Sequence, residues 1–163
     1  FQNGPVHYPY PVIRMAEMYL NLAEILIELD ALENTTGRLE EAKGLIDKIR
    51  VRAGIPTIDE AWKKANHPEK ANTAEGLREI VRRERQIEFY LENQRFWDLR
   101  RWKDAGILGE KVWGMNIEGD TDETFFVPTE LQNIRTFKQA QYLMPIPMTE
   151  TNKVSHIVKN PGY

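Results

Sequence analysis

The sequence predicts a mainly α-helical fold, built of helix pairs and closed by a loop-rich, extended C-terminal wrap. Three observations carry that prediction. Apolar residues recur at helical spacing through three segments, roughly 13–32, 39–52 and 77–91. Capping and breaking residues stand at the edges of those segments. After Trp102 the periodicity fades, and Gly106, Gly109, Gly114, Gly119 and Pro128 interrupt the chain.

Residues 1–11 hold three prolines beside Phe1, Tyr8 and Tyr10, and should run extended into the first helix. That helix is expected over Ile13 to Leu32. Its apolar face is read as Met15, Met18, Tyr19, Leu22, Ile25, Leu26 and Leu29, with Glu17, Glu24 and Glu28 off it. Asn34, Thr35, Thr36 and Gly37 make a turn. A second helix over Leu39 to Arg52 directs Leu39, Ala42, Leu45, Ile46 and Ile49 inward and stops at Gly54 and Pro56. Tyr19-x-x-Leu22-Ala23-x-x-Leu26 resembles the first helix of a tetratricopeptide repeat, where a small residue lets the partner helix approach. A tetratricopeptide-like pair cannot bury both its faces without stacked neighbours.

Thr57 with Glu60 has capping-box spacing and opens a short helix around Asp59 to Ala65 that carries Trp62 and ends by Pro68. Residues 66–76 are polar and read as a surface loop. The stretch 104–141 reads as loops, with a short strand around Phe125 to Val127 and a helical turn near Leu131. Tyr142 to Pro147 reads as an extended apolar edge, because Pro145 and Pro147 bar it from a sheet interior. Residues 148–163 should wrap the surface.

The chain is organised around Leu77 to Trp102. Leu77, Ile80, Val81, Glu84, Ile87, Glu88 and Leu91 share one helix face, started by an Asn72 and Glu75 capping box and stopped at Asn93, which tolerates a left-handed backbone. A second short helix restarts over Arg95 to Lys103. Carboxylates on a face shared with Ile and Leu need cationic partners if buried. Arg95, Arg100 and Arg101 come after the corner, and Asp98 lies three residues from Arg95 and from Arg101. Glu84, Glu88, Arg95, Asp98 and Arg101 are therefore expected to form a structural ion network that fixes the angle between two helices. Arg14, Arg50 and Arg52 are further candidates to reach Glu84 and Glu88. The competing reading, a carboxylate pair for glycosidase chemistry, needs two carboxyls ~5 to ~10 Å apart, which i, i+4 spacing meets by accident in many helices.

Composition removes other classes. A net charge of −3, with acids interleaved among Arg82, Arg83 and Arg85, is no nucleic-acid footprint. The absence of cysteine excludes disulfides and thiolate metal sites. His7, His67 and His156 have no ligand spacing, and Asp120 and Asp122 in GDTDET lack the further ligands of a calcium loop, so no metal or other cofactor is expected. No stretch approaches the ~20 apolar residues of a membrane-spanning helix.

ERQIEFYLENQRFWDLRRW, at Glu84 to Trp102, resembles the signature of the SusD/RagB family of surface glycan-binding lipoproteins. PVIRMAEMYLNLAE at Pro11 to Glu24, IDKIRVRAGIP at Ile46 to Pro56, YLMPIP at Tyr142 to Pro147 and NPGY at Asn160 to Tyr163 are similar to the same family, in its order. One departure is Asn93, where the family usually has Gly; both accept a left-handed corner. The resemblance implies that residues 1–163 form one domain, the C-terminal portion of a longer chain whose lipidated N-terminus lies outside this sequence.

It further implies a non-catalytic role at the outer-membrane surface: oligosaccharide binding and delivery to a TonB-dependent, SusC-like transporter. No binding motif of the family matches here, so binding residues are sought in the chemistry of sugars, which are held by an aromatic face flanked by hydrogen-bonding side chains. Trp62 and Trp113 are the candidates, the latter near Asp120 and Asp122. Each has a plainer reading, as a packing anchor, and that is the more frequent fate of a tryptophan. Two other readings of the whole chain stay open: a helical-repeat adaptor for another protein, and uptake of a nutrient other than glycan.

Overall fold

The computed structural model describes residues 12–33, 37–131, 135–154 and 156–163. The extended run expected over 1–11, with Tyr8 and Tyr10, lies outside them, as do Asn34 to Thr36 of the expected turn. The chain divides at Gln94 and Arg95 into two compact units.

In the first unit, α1 (Met15–Glu33) and α2 (Arg38–Arg52) pack together, and a later helix, α4 (Ala74–Glu88), packs on both. The core lies among these three helices and includes Leu20, Ile27, Ile46, Leu77 and Val81, all fully enclosed. Each such side chain contributes about 1.5–3 kcal/mol of burial.

The buried face of α1 overlaps only in part with the one the spacing suggests: Tyr19 and Leu26 pack against the core as expected. Ala16, Leu20, Ala23, Glu24, Ile27 and Asp30 face inward, while Met15, Met18, Leu22 and Ile25 are exposed. Helix α1 carries apolar residues on more than one stripe, and the stripe with Ala16 and Ala23 permits closer helix approach than the one carrying methionines. On α2 the inward residues are Ala42, Lys43, Leu45, Ile46 and Ile49, with Leu39 half-buried against the core. Helix α2 ends where Gly54 adopts φ 74° and its N–H bonds the Val51 carbonyl.

α3 (Ile58–Trp62) begins with the Thr57 and Glu60 capping box, and the Ile58 N–H donates to Asp47 Oδ1 at 2.8 Å. The polar segment after it holds a 3-10 turn, Pro68–Asn72. The cap of α4 is Thr73, whose hydroxyl accepts from the Gly76 N–H at 3.1 Å, and not Asn72. Asn72 is drawn away, its Oδ1 facing Lys43 Nζ at 3.5 Å. Gly76 is required there, since a Cβ would lie 2.2 Å from the Lys70 carbonyl oxygen. Past α4 the chain turns with Leu91 at φ 66° and Asn93 at φ 62°.

The helix α5 (Gln94–Arg101), in which Asp98 and Leu99 are buried, leads into the second unit, and a 3-10 turn, Ala105–Gly109, follows it. Strands β1 (Val112–Met115) and β2 (Pro128–Leu131) pair antiparallel, with Trp113 opposite Glu130. Between them lies the helical turn α6 (Asp122–Phe125). The strand expected at Phe125 to Val127 and the helical turn expected near Leu131 are thus exchanged: Phe125 ends α6, and Leu131 is in β2. Four-residue strands are too short for alternation to register. After a 3-10 turn, Gln139–Tyr142, the chain runs on through Pro145 and Pro147 to α7 (Met148–Lys153), a short helix at the start of the segment expected to wrap the surface. The terminal residues are fastened back: Asn160 Nδ2 donates to the Met144 carbonyl at 2.6 Å and Tyr163 OH to the Leu143 carbonyl at 3.1 Å.

Candidate functional site

Trp62 stands at the end of α3, a helix anchored by the fully buried Ile58 and by its capping box. Its side chain packs partly against the core and borders two clefts. One cleft, of about 390 Å³, is lined by Glu40, Lys43, Asp59 and Asn72 among others. The Lys43 ammonium is nearly enclosed, and it bonds Asp59 Oδ1 at 3.1 Å and pairs with Glu40. Burial by itself would lower the Lys43 pKa, but the two carboxylates outweigh it and hold the group protonated. The other cleft, of about 370 Å³, lies toward α4. Both sizes fall within the ~300–1,000 Å³ of small-ligand sites, and both combine an aromatic wall with polar groups.

Trp113 is 60% exposed on β1. Met115 shares its face by strand alternation, and Lys111 on that face pairs with Glu130 at 2.6 Å. Asp122 is the first residue of α6 and Asp120 lies in the connection before it, both exposed. Among the described residues no group of acids or histidines is disposed to hold a metal ion.

The five residues of the expected ion network divide between the units. Glu84, nearly enclosed on α4, pairs with Arg50 of α2, whose Nε also donates to the Pro56 carbonyl at 2.7 Å. Glu88 accepts from Arg52 NH2 at 2.6 and 2.7 Å and pairs with Arg14, which reaches Glu92 through NH2 at 2.8 Å and Nε at 2.9 Å. Both glutamates thus take their guanidinium partners from within the first unit. In the second, Arg101 Nε donates to the buried Asp98 at 2.9 Å, and the Arg95 guanidinium lies 5.9 Å from the Trp102 ring centroid.

Further ties escape sequence spacing. Arg78 grips Glu28, Arg85 NH1 donates to Asn21 Oδ1 at 2.6 Å, and Arg14 and Arg85 lie over the buried Phe89 ring at 4.9 and 5.2 Å. Their one sequence signal is Glu24 and Glu28, a helical turn apart on α1, matched by Arg78 and Arg85 on α4. Burial pushes the Glu88 carboxyl up, and Arg14 and Arg52 more than offset that, so its pKa lies below the ordinary 4.5. A general acid needs the opposite shift.

Comparison with known proteins bears on what this arrangement serves. A family model described as the SusD family matches residues 2–163. The chain is 30% identical over 161 residues to the SusD-like protein P2 of Formosa agariphila, covering 94% of this chain and 26% of that protein. Among solved structures it is similar to BT4246, at 31% identity and TM-score 0.77, covering 97% of this chain and 25% of that one. It is also similar to a SusD-like protein, BF3747, from Bacteroides fragilis, at 36% identity and TM-score 0.69, covering 96% and 28%. The chain therefore spans about a quarter of the length of the relatives it matches. With a family model running over all but the first residue and solved SusD-like structures sharing the same backbone course, the chain belongs to the SusD family.

Proposed function

We propose that this chain is part of a non-catalytic glycan-binding protein, lipid-anchored at the outer-membrane surface, that passes oligosaccharides to a TonB-dependent, SusC-like transporter. Membership of the SusD family along the whole chain is the observation that carries this reading. The anchor would lie outside these residues. Trp62, between two clefts with polar walls, and the exposed Trp113 are the side chains offered to a pyranose ring. Engagement of Glu84 and Glu88 by arginines supports a structural role for both, and the lowered pKa of Glu88 speaks against its serving as a general acid.

The test is calorimetric titration of the full-length protein with a panel of soluble oligosaccharides, repeated with Trp62→Ala and Trp113→Ala. Binding weakened by either substitution, with the fold intact by circular dichroism, is the expected result. Binding indifferent to both places the sugar site elsewhere in the protein. No binding to any glycan, with the transporter still captured, favours the adaptor reading.

A further inference from the structure

The cleft between α3 and α4 has one feature that a neutral sugar does not use. Ile80, Arg83 and Ile87 lie at i, i+3, i+7 and present one face of α4 to the cleft, opposite Trp62. Ile87 is 58% exposed there, so the apolar floor is open to a ligand. The remaining charges on the wall cancel: Arg50 pairs with Glu84, and Glu79 pairs with Lys70. Among the described residues that line this cleft, Arg83 is the charged group with no ion pair. In the cleft on the other side of Trp62 both carboxylates, Glu40 and Asp59, pair with Lys43, which leaves Lys63, an ammonium without the planar fork of a guanidinium.

We propose that the α3–α4 cleft takes an acidic sugar unit, a uronate, with the ring against Trp62 and Ile87 and the carboxylate on the Arg83 guanidinium. The inference rests on the glycan-binding reading and narrows its ligand class. A guanidinium fork matches a carboxylate in two parallel hydrogen bonds, and an aromatic wall takes the apolar face of a pyranose. Arg83 is exposed, so its pairing is partly screened and gives selectivity more than affinity.

The experiment is calorimetry on the full-length protein with trigalacturonate and a glucuronate-containing trisaccharide, against neutral trisaccharides of galactose and glucose. The acidic ligands are expected to bind more tightly. Arg83→Gln should weaken them about fivefold and leave neutral ligands unchanged, the loss of one partly screened ion pair. Arg83→Lys should restore part of the preference. Arg83 is exposed and stands outside the core cluster, so this variant reads the site without a folding cost. Trp62→Phe, which keeps an aromatic wall, should bind nearly as the parent does. Neutral ligands binding as tightly as acidic ones, or acidic binding indifferent to Arg83→Gln, overturns this inference and leaves the glycan reading standing. Failure to bind any sugar, acidic or neutral, overturns both.

Discussion

Arg78 holds Glu28 with two parallel bonds, Nε to Oε1 at 2.6 Å and NH2 to Oε2 at 2.7 Å, and so ties α4 to α1. The bond to Arg78 holds the Glu28 carboxyl below its ordinary 4.5, against a smaller opposing effect of burial. A depressed carboxyl stabilises the fold above its unfolded pKa and loses that contribution as pH falls through its folded pKa. Both side chains are substantially exposed, at 30% and 42%, so solvent screening limits the contribution to under ~1 kcal/mol. Urea denaturation from about pH 7 to about pH 3 should therefore show a steeper acid loss for the parent than for Glu28→Gln. Equal slopes would contradict the pairing.

Arg50 and Glu84 form a nearly enclosed pair, with side chains 12% and 9% exposed. Removing one partner strands the other, so Glu84→Ala is expected to cost about 3 kcal/mol. Glu84→Gln should cost less, because the amide oxygen still accepts. The double replacement Arg50→Met with Glu84→Leu should recover most of the loss. Thermal melts of the four proteins check this, and a double variant as unstable as Glu84→Ala would show that the pair is not what matters.

Gly76 sits in the first turn of α4, where alanine is otherwise the better helix former by about 1 kcal/mol. Contact with the Lys70 carbonyl reverses that preference. Gly76→Ala should destabilise by more than ~2 kcal/mol through displacement of the 3-10 turn. A stabilised variant would refute the close approach.

The NPGY terminus makes a local prediction. Gly162 has φ 92°, and a Cβ there would lie 2.7 Å from the Ala140 Cβ. Gly162→Ala is expected to cost more than Tyr163→Phe, which loses only the bond to Leu143, worth about 1 kcal/mol. Hydrogen exchange at residues 139–144 should quicken in both, and more in the glycine variant.

The helices are legible in the sequence because their signals are local. The Thr57 and Glu60 box, the Gly54 stop and the Asn93 corner each act through the backbone within four residues. Features set by distant partners are not legible. Large side chains dominate a periodicity count on α1, while Ala16 and Ala23 decide where another helix can come close. Asn72 has the spacing of a cap as good as that of Thr73, and nothing near it in sequence announces Lys43. The hairpin of Val112–Met115 and Pro128–Leu131 is stabilised by pairing across a long connection, which leaves no periodic trace in four residues. At the candidate site, the chemical types of Trp62 and Glu84 are legible. Their surroundings are not, since Arg50 reaches Glu84 from α2 and Arg83 lines the cleft beside Trp62 from α4.

Equilibrium dialysis of the full-length protein against a mixture of oligosaccharides, with chain lengths of the recovered sugars measured on both sides, tests the central claim most directly. Enrichment of one class on the protein side, at unchanged length, is the predicted result. Equal partition of every sugar, or the appearance of shortened chains, would contradict non-catalytic glycan binding.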